Sequence, residues 1–596
     1  MRNASAQNVL YILVDDLRSE FGFTHPSSLH AHHTPHIDAF ARESTFFAKT
    51  FSQVAFCVPS RSSFLTGLRP ETTGSVHNDQ MSIPRIRSSR HAPLCPGCTV
   101  LDFFKRAGYT TAAVGKIFHF GEEHPALDLP VITSTHDLLR RPCDELRSSA
   151  KDMRAPHSKT QFGFPQACAL PFGSFVDERV TFHAAKYLRV LSNKSLGEDQ
   201  RAFSEPKQPT RPFLLMVGFS RPHNPYQFPS RHLDALPPAN ATEVAAVRWR
   251  HVSQPAIAFA DDFNCTRVKC SGEQRRFYRG AVSHLDEMVG ALLGSLRRLA
   301  LENKTLVALH ADHATSLGEN GAWEKRTLFD HASRVPLFIR DPWHPAARGK
   351  HVTDALVELV DVLPTLLELS GANQRVRPPS SLQGRSLLPL LEKQQPRHFR
   401  YAFTIAPRLL HATRPGRRGE QSGHNAAEEM KVVLDGHASA DLFFNGNDTA
   451  SRVENLQCSD DLASSPFGPL GKAGRPCRFV AMGFSVRSQA WRYTRWERWP
   501  LPTAPNRVWT VGEGGLLAEE LYQYNTTDEL ADAGSGQSEE VNLLYNAASQ
   551  QNVQNVRAEL LAALLSRRPD FSVVDATGYC SQKTGSTCIY KLSDLQ

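Results

Sequence analysis

Nowhere in these 596 residues does an apolar run approach the roughly 18 residues that a bilayer-spanning helix needs. The longest, Phe213 to Phe219, has the length of a strand. A helical membrane span is thereby excluded. No internal repeat is visible. The chain also lacks a block of one charge. Lys and Arg outnumber Asp and Glu by 68 to 60, but the basic residues are scattered. That pattern reads as a solvated surface and gives no indication of nucleic acid. No apolar leader segment precedes the first strand-like run, and Met1 stands only a few residues before it. The start reads as truncated or as carrying a mis-called start codon. A second cysteine pair at zinc spacing is missing too, so Cys95-Pro-Gly-Cys98 has no partner with which to form a metal knuckle.

What is present is a globular composition, 41% hydrophobic and 21% charged, in a chain long enough for one large domain and a smaller one. Cysteine is plentiful, at eleven residues. With Cys57 set aside, ten remain, mostly as near neighbours: Cys95 with Cys98, Cys143 with Cys168, Cys265 with Cys270, Cys458 with Cys477, and Cys580 with Cys588. An even remainder in short loops reads as disulfides formed in an oxidising compartment. N-x-S/T sequons at Asn3, Asn193, Asn240, Asn264, Asn303, Asn447 and Asn525 point the same way. We therefore expect a glycoprotein of the secretory pathway, lysosomal or extracellular.

Asn8 to Val14 is an aliphatic run without polar alternation, as in a strand buried on both faces of a parallel sheet. Asp15 and Asp16 end it. A loop with His25, His30, His32, His33 and His36 follows, its irregular spacing reading as solvated histidines rather than a metal site. Thr34 caps a helix beginning at Pro35, and a short strand around Phe46 leads to Cys57. Further helices are expected over Val100–Arg106, Val180–Leu191, Glu273–Leu301, Ala355–Leu369 and Val553–Leu565. Strands are expected over Tyr109–Val114, Pro212–Gly218, Thr305–Leu309 and Val335–Ile339. This alternation predicts an α/β fold with a large, mostly parallel sheet sandwiched by helices, over residues 1–395. Residues 396–596 read as a smaller C-terminal α+β domain. It would contain an antiparallel sheet, with a hairpin at Val480–Val486 and Trp491–Trp496, and a flexible insertion at 412–480.

The stretch around which the chain is organised is Cys57-Val58-Pro59-Ser60-Arg61, continuing through Leu65-Thr66-Gly67. Pro59 suits the first turn of a helix, and Gly67 can close it. Cys57 then lies at a helix N-terminus that favours an anion, with Arg61 one turn on. Taken alone, a C-x-P reads more readily as a buried cysteine before a short helix. Asp15 and Asp16 follow one strand, and Asp312 with His313 follows another. In open parallel sheets, sites form at such carboxyl ends. Carboxylates converging there repel unless a cation neutralises them, and hard oxygen donors favour calcium or magnesium.

The C-x-P-S-R…L-T-G string resembles the signature of the type I sulfatases of the alkaline phosphatase superfamily. The order of further motifs is similar to the iduronate-2-sulfatase group: Val14-Asp15-Asp16-Leu17-Arg18, Gly115-Lys116 with His119, Arg221-Pro222-His223-Asn224-Pro225, Asp312-His313, and Leu317 to Lys325. The likeness covers roughly residues 8 to 394 and returns weakly at Met482–Arg487 and Glu520–Tyr522. It implies that Cys57 is oxidised to formylglycine by a formylglycine-generating enzyme. It also implies one calcium ion held by Asp15, Asp16, Cys57, Asp312 and His313. Hydrated formylglycine is a geminal diol; one hydroxyl attacks sulfur, and the other lets the adduct eject sulfate. In the same way Arg61 would steady the diol, Lys116 and Lys325 would bind sulfate oxygens, and His119 and His223 would assist the diol or the leaving oxygen. Lys116 and His119 would share a face if their segment is helical.

The expected activity is hydrolysis of a sulfate ester, with the 2-O-sulfate of iduronate or another uronate in a sulfated glycan as substrate. A phosphonate or phosphodiester hydrolase of the same superfamily and a silent glycan-binding relative are the alternatives. Three positions depart from the pattern: Ala314 where Gly is expected, Thr315 in place of a tryptophan near the substrate, and Asn320 in place of His.

Overall fold

The computed structural model describes residues 7–24, 33–73, 99–119, 166–192, 211–237, 253–259, 272–378, 382–392, 399–413, 431–434, 477–499, 515–524, 541–546 and 550–566, with isolated positions between. Its strands in chain order begin with β1 (Asn8–Asp15), β2 (Thr45–Phe51), β3 (Thr110–Gly115), β4 (Gln166–Cys168), β5 (Phe213–Pro222) and β6 (Gln227–Pro229). They continue with β7 (Thr305–Ala311), β8 (Ser316–Leu317), β9 (Trp323–Glu324), β10 (Arg334–Arg340), β11 (His351–Val352) and β12 (Val357–Glu358). The large sheet runs β11-β2-β10-β7-β1-β5-β3, with β12 also on β2. At its centre β1 lies parallel to both β5 and β7, and Val9 to Val14 are completely buried. This explains the unbroken apolar run: a strand covered on both faces has no solvent side to mark with polar residues.

The sheet is mostly parallel but not wholly so. β10 runs antiparallel to β7 and β2. Side-chain period marks Val335–Ile339 as a strand but not its direction, which depends on the connection. A second difference lies at 355–369. The expected single helix is instead the two-residue β12, a 3₁₀ turn over Leu359–Asp361 and a helix over Val362–Leu369. The carboxylate of Asp361 accepts the Glu358 N–H and caps that turn.

One helix group holds Pro35–Glu43, Val176–Leu191 and Gly272–Arg298; another holds Cys57–Thr66, Val100–Arg106 and Val362–Leu369. Together they sandwich the sheet around one continuous apolar core. Thr34 sits at the N-cap of the first helix, but its hydroxyl bonds Asp38 Oδ1 at 2.9 Å rather than a backbone N–H. Asp286 on the long helix performs the capping instead, accepting the N–H groups of His36 at 3.1 Å and Ile37 at 2.7 Å. Asp286→Ala should therefore lower stability by about 1–2 kcal/mol, to be read from chemical denaturation. Asp286→Asn, which keeps one acceptor, should lose less.

The C-terminal strands β13 (Ala402–Thr413), β14 (Lys431–Leu434), β15 (Cys477–Arg487), β16 (Trp491–Trp499) and β17 (Gly515–Gln523) form an antiparallel sheet in the order β14-β13-β15-β16-β17. The helix Gln551–Ser566 packs on it. This sheet also covers the segment that leads into Cys57. Val54 and Phe56 pack with Ile405, Met482 and Phe484, and Thr404 Oγ1 bonds Ser52 O at 2.9 Å. Most of the 412–480 insertion lies outside the described residues.

Cys143 and Cys168 are joined as the spacing suggested, and Cys57 is free. The other paired cysteines lie outside the described residues, apart from the backbone of Cys477. Among the described residues, no helix is long and apolar enough to cross a membrane.

Candidate active site

The Cys57–Thr66 helix is buried on every side and closes at Gly67, whose left-handed φ of 68° suits glycine. Its first residue is Cys57, so the thiol stands at the N-terminus as the motif suggested. Arg61, one turn on, is only 2% exposed and lies beneath the acids. Its Nη2 is 2.8 Å from Asp312 Oδ2 and 3.6 Å from Asp15 Oδ2, and its Nη1 bonds the carbonyl of Ile117 at 3.0 Å. Ser60 Oγ donates to the Asp312 carbonyl. Asp15 ends β1, and Asp312 follows β7 immediately, its N–H bonding Val14 O at 2.9 Å. Neighbouring strands thus deliver both acids to one carboxyl edge, although 297 positions separate them in the chain.

Asp15, Cys57, Asp312 and His313 each offer a donor atom, all within 4.8 Å of one another, and all four residues are buried. Cys57 Sγ is 3.3 Å from His313 Nε2 and 3.7 Å from Asp15 Oδ1. Asp16 does not join this set. It forms a second one with Asp15 and His223, bridged to the first through Asp15. Its carboxylate takes Lys325 Nζ at 3.0 Å and faces His313 Nδ1 at 3.0 Å. A φ of 64° turns Asp16 away from the strand direction of Asp15. Two adjacent acids in one motif therefore aim at different partners.

Lys325 Nζ also reaches Cys57 Sγ at 3.4 Å, and Lys116 pairs with Asp15. His119 bonds the Cys57 sulfur. The segment 116–119 is a succession of bends, so the helix on which Lys116 and His119 would share a face does not form and a sharp turn stands there. Gly115 makes that turn at a φ of +80°, where a Cβ would stand 2.1 Å from Gly218 O. The ten residues singled out from the sequence therefore gather in one buried cluster, with Arg61 beneath the acids.

The charges explain each other. Burial would raise the Cys57 thiol, but Lys325, Lys116, His313 and the bond from His119 hold it well below its usual value. Burial works equally against ionised Asp16, yet Lys325, His223 and His313 keep it strongly lowered. Burial, helped by Asp15, pushes Asp312 up to about 6. Burial opposes charge on His313, which Asp312 nevertheless drives well above the imidazole range. The cluster thus draws positive charge inward, which is the property a divalent cation satisfies. Its two carboxylates and imidazole fit such an ion.

Three supporting residues carry no sequence signal of their own. Asp177, in the first turn of its helix, accepts the Ser220 and Arg221 N–H groups at 2.8 Å each and so fixes the loop bearing His223. Glu324, held at a φ of 62°, accepts from Asn224 Nδ2 at 3.0 Å beside Lys325. Arg492 ties Asp330 and Glu539 together in a buried pair network, anchoring the Lys325 loop to the second sheet. Of the three departures, Ala314 takes no left-handed φ, so lacking glycine there introduces no strain. Thr315 is buried, its carbonyl bonded by Arg18 Nη1 at 3.1 Å. Asn320 adopts a φ of 52°, which asparagine tolerates better than most residues.

Behind the site, burial pushes His310 down to about 4. Its Nδ1 faces Ala311 O at 2.7 Å and its Nε2 lies 2.6 Å from the Tyr11 hydroxyl. The folded value lies below the unfolded one near 6.5, so the unfolded chain takes up this proton first on acidification. The associated stability is complete above pH 6.5 and falls away as pH drops towards 4. Between pH 7 and pH 5 the loss is about 2 kcal/mol. A His310→Gln variant should lack that share of the acid slope when unfolding is measured at both pH values.

Comparison with known proteins gives the same assignment. Residues 7–372 match the Sulfatase family. Iduronate 2-sulfatase of Mus musculus is 31% identical over 416 residues, covering 61% of this chain and 69% of its own. The Homo sapiens protein is 31% identical over 409 residues with the same coverage. Among solved structures, the phosphonate monoester hydrolase of Agrobacterium radiobacter superposes with a TM-score of 0.55 at 19% identity, covering 94% of this chain and 95% of that one; at that identity the likeness concerns the fold. The chain belongs to the sulfatase family.

Proposed function

We propose that this chain hydrolyses sulfate esters at the Cys57 cage, with the 2-O-sulfate of a uronate in a sulfated glycan as its substrate. The observation that carries the reading is the convergence of Cys57, Asp15, Asp312 and His313 within 4.8 Å, with Lys325 against the same sulfur. The uronate assignment is supported by the likeness to the two iduronate 2-sulfatases. In this reading residues 1–395 are the catalytic domain, and 396–596 are a smaller domain buttressing it.

Asp15, Asp312 and His313, with the converted Cys57 side chain and with Asp16 joining through the Asp15 side of the cluster, would hold one calcium ion, which supplies Lewis-acid stabilisation of developing oxyanion charge. Conversion of Cys57 to formylglycine supplies an oxygen nucleophile whose second hydroxyl permits release of sulfate. The chain's own groups do the rest. Lys325 and Lys116 neutralise sulfate oxygens from two sides. In this reading His119 and His223 hold or deliver the proton at the leaving oxygen. Arg61 fixes Asp312 and Asp15 from below and keeps that floor rigid.

The test is turnover of a uronate 2-sulfate disaccharide beside an aryl sulfate and an aryl phosphodiester. The reading expects the sulfates to win by at least about a hundredfold in kcat/KM over the diester. Preference for the diester would support the phosphonate or phosphodiester alternative instead. Glu324 places a carboxylate beside Lys325, where it opposes an acidic sugar. Glu324→Gln should therefore lower KM for the uronate substrate several-fold with little change in kcat, as steady-state kinetics can show.

A further inference from the structure

The donor atoms around Cys57 have a spacing that oxygen chemistry does not require. His313 Nε2 to Cys57 Sγ is 3.3 Å, Cys57 Sγ to Asp15 Oδ1 is 3.7 Å, and His313 Nε2 to Asp312 Oδ2 is 3.7 Å. Around a tetrahedral zinc ion, with bonds of about 2.3 Å to sulfur and 2.0–2.2 Å to nitrogen and oxygen, adjacent donors lie about 3.3–3.6 Å apart. Edge by edge, the sulfur–oxygen distance lies within about 0.1 Å of its tetrahedral value, and the sulfur–nitrogen and nitrogen–oxygen distances lie about 0.2–0.3 Å from theirs. The donor types agree as well: one thiolate, one imidazole and two carboxylates form a borderline-soft set that selects zinc over calcium.

We propose that the chain in which Cys57 is still a thiol is a zinc-binding form, the ion taking Cys57 Sγ, His313 Nε2 and one carboxylate oxygen from each of Asp15 and Asp312. Lys325, 3.4 Å from the sulfur, gives up that contact and keeps its bond to Asp16 at 3.0 Å. Lys116 remains on the outer Asp15 oxygen, Oδ2, while Arg61 donates to Asp312 Oδ2 itself and orients that acid towards the ion. Oxidation of the side chain replaces sulfur by hard oxygen donors, so the preferred ion changes from zinc to calcium. Zinc thus occupies the nucleophile's position only in molecules that have escaped conversion, holding them inert and shielding the thiol from adventitious oxidation. The zinc site stands on the geometry alone; only its loss on conversion rests on the functional reading above.

The experiment uses the full chain made in a host without a converting enzyme, with Cys57 verified as a thiol by peptide mass. After chelator treatment and dialysis the protein is titrated with zinc, and separately with calcium. Metal content is counted, and the rate of Cys57 alkylation is followed by mass spectrometry. One zinc per chain should be retained, and alkylation should slow by at least about tenfold with zinc but not with calcium. Cys57→Ala and His313→Asn should each weaken this zinc by about a hundredfold. Zinc bound adventitiously elsewhere would survive in both variants and would not protect the thiol, and such a pattern alone would overturn the proposal. Zinc that fails to protect Cys57, or that binds equally well to Cys57→Ala, would overturn the proposal, even if His313→Asn fails to fold. If Cys57 instead remains a thiol in every secretory preparation, the functional reading fails while the zinc result still stands.

Discussion

Cys57→Ala is expected to abolish sulfate-ester turnover, lowering kcat by at least about 10⁴-fold while leaving the fold intact. The prediction separates a nucleophile from a structural cysteine. The side chain is small, and its removal leaves a cavity costing about 1 kcal/mol at most. The helix it begins is held independently by Pro59, by the Gly67 closure and by Phe64 against Tyr11 and His310. Asp15, Asp312, Lys116 and Lys325 would all remain, so substrate should still bind. Activity measured beside a thermal unfolding curve makes the comparison. An unfolding midpoint near that of the parent with no turnover is the expected pair of results.

Asp312→Ala should do damage twice. It removes a donor from the metal cage, and it leaves the Arg61 guanidinium buried without its nearest anion, since Asp15 is 3.6 Å away against 2.8 Å for Asp312. An uncompensated buried charge costs about 3–5 kcal/mol. The carboxylate also accepts the N–H groups of His313 at 2.9 Å and Asp16 at 3.3 Å, so the turn presenting both residues should loosen. Activity should fall by at least about 10³-fold. Asp312→Asn retains the shape and one acceptor for those N–H groups. It should recover much of the stability but little of the activity. Denaturation and kinetics on the two variants separate the structural share from the catalytic one.

The parts of this site that were legible in the sequence are those carried by contiguous residues. β1 declared itself because Val9 to Val14 are covered on both faces. The Cys57 helix did so through Pro59 and Gly67, and the Cys143–Cys168 bond through the pairing of neighbours. What stayed hidden depends on partners far apart in the chain. Asp286 replaces Thr34 as a cap across some 250 positions, and Asp177 fixes the His223 loop from a different helix. Both are single acids in helices, indistinguishable in sequence from solvated ones. The split between Asp15 and Asp16 follows from the left-handed backbone of Asp16, which no composition signals. Lys116 and His119 would share a face only in a helix, and the sequence left open whether one forms there; the close approach of Gly115 and Gly218 dictates a bend.

The central claim is that Cys57 is the precursor of the nucleophile, and it is tested most directly by the mass of the peptide spanning Cys57 from chain secreted by a host that contains the converting enzyme. The account predicts that this peptide carries an aldehyde, trapped quantitatively by a hydrazide, in a fraction that rises in proportion to specific activity across preparations. An unmodified thiol in every molecule of a preparation that hydrolyses sulfate esters would contradict it.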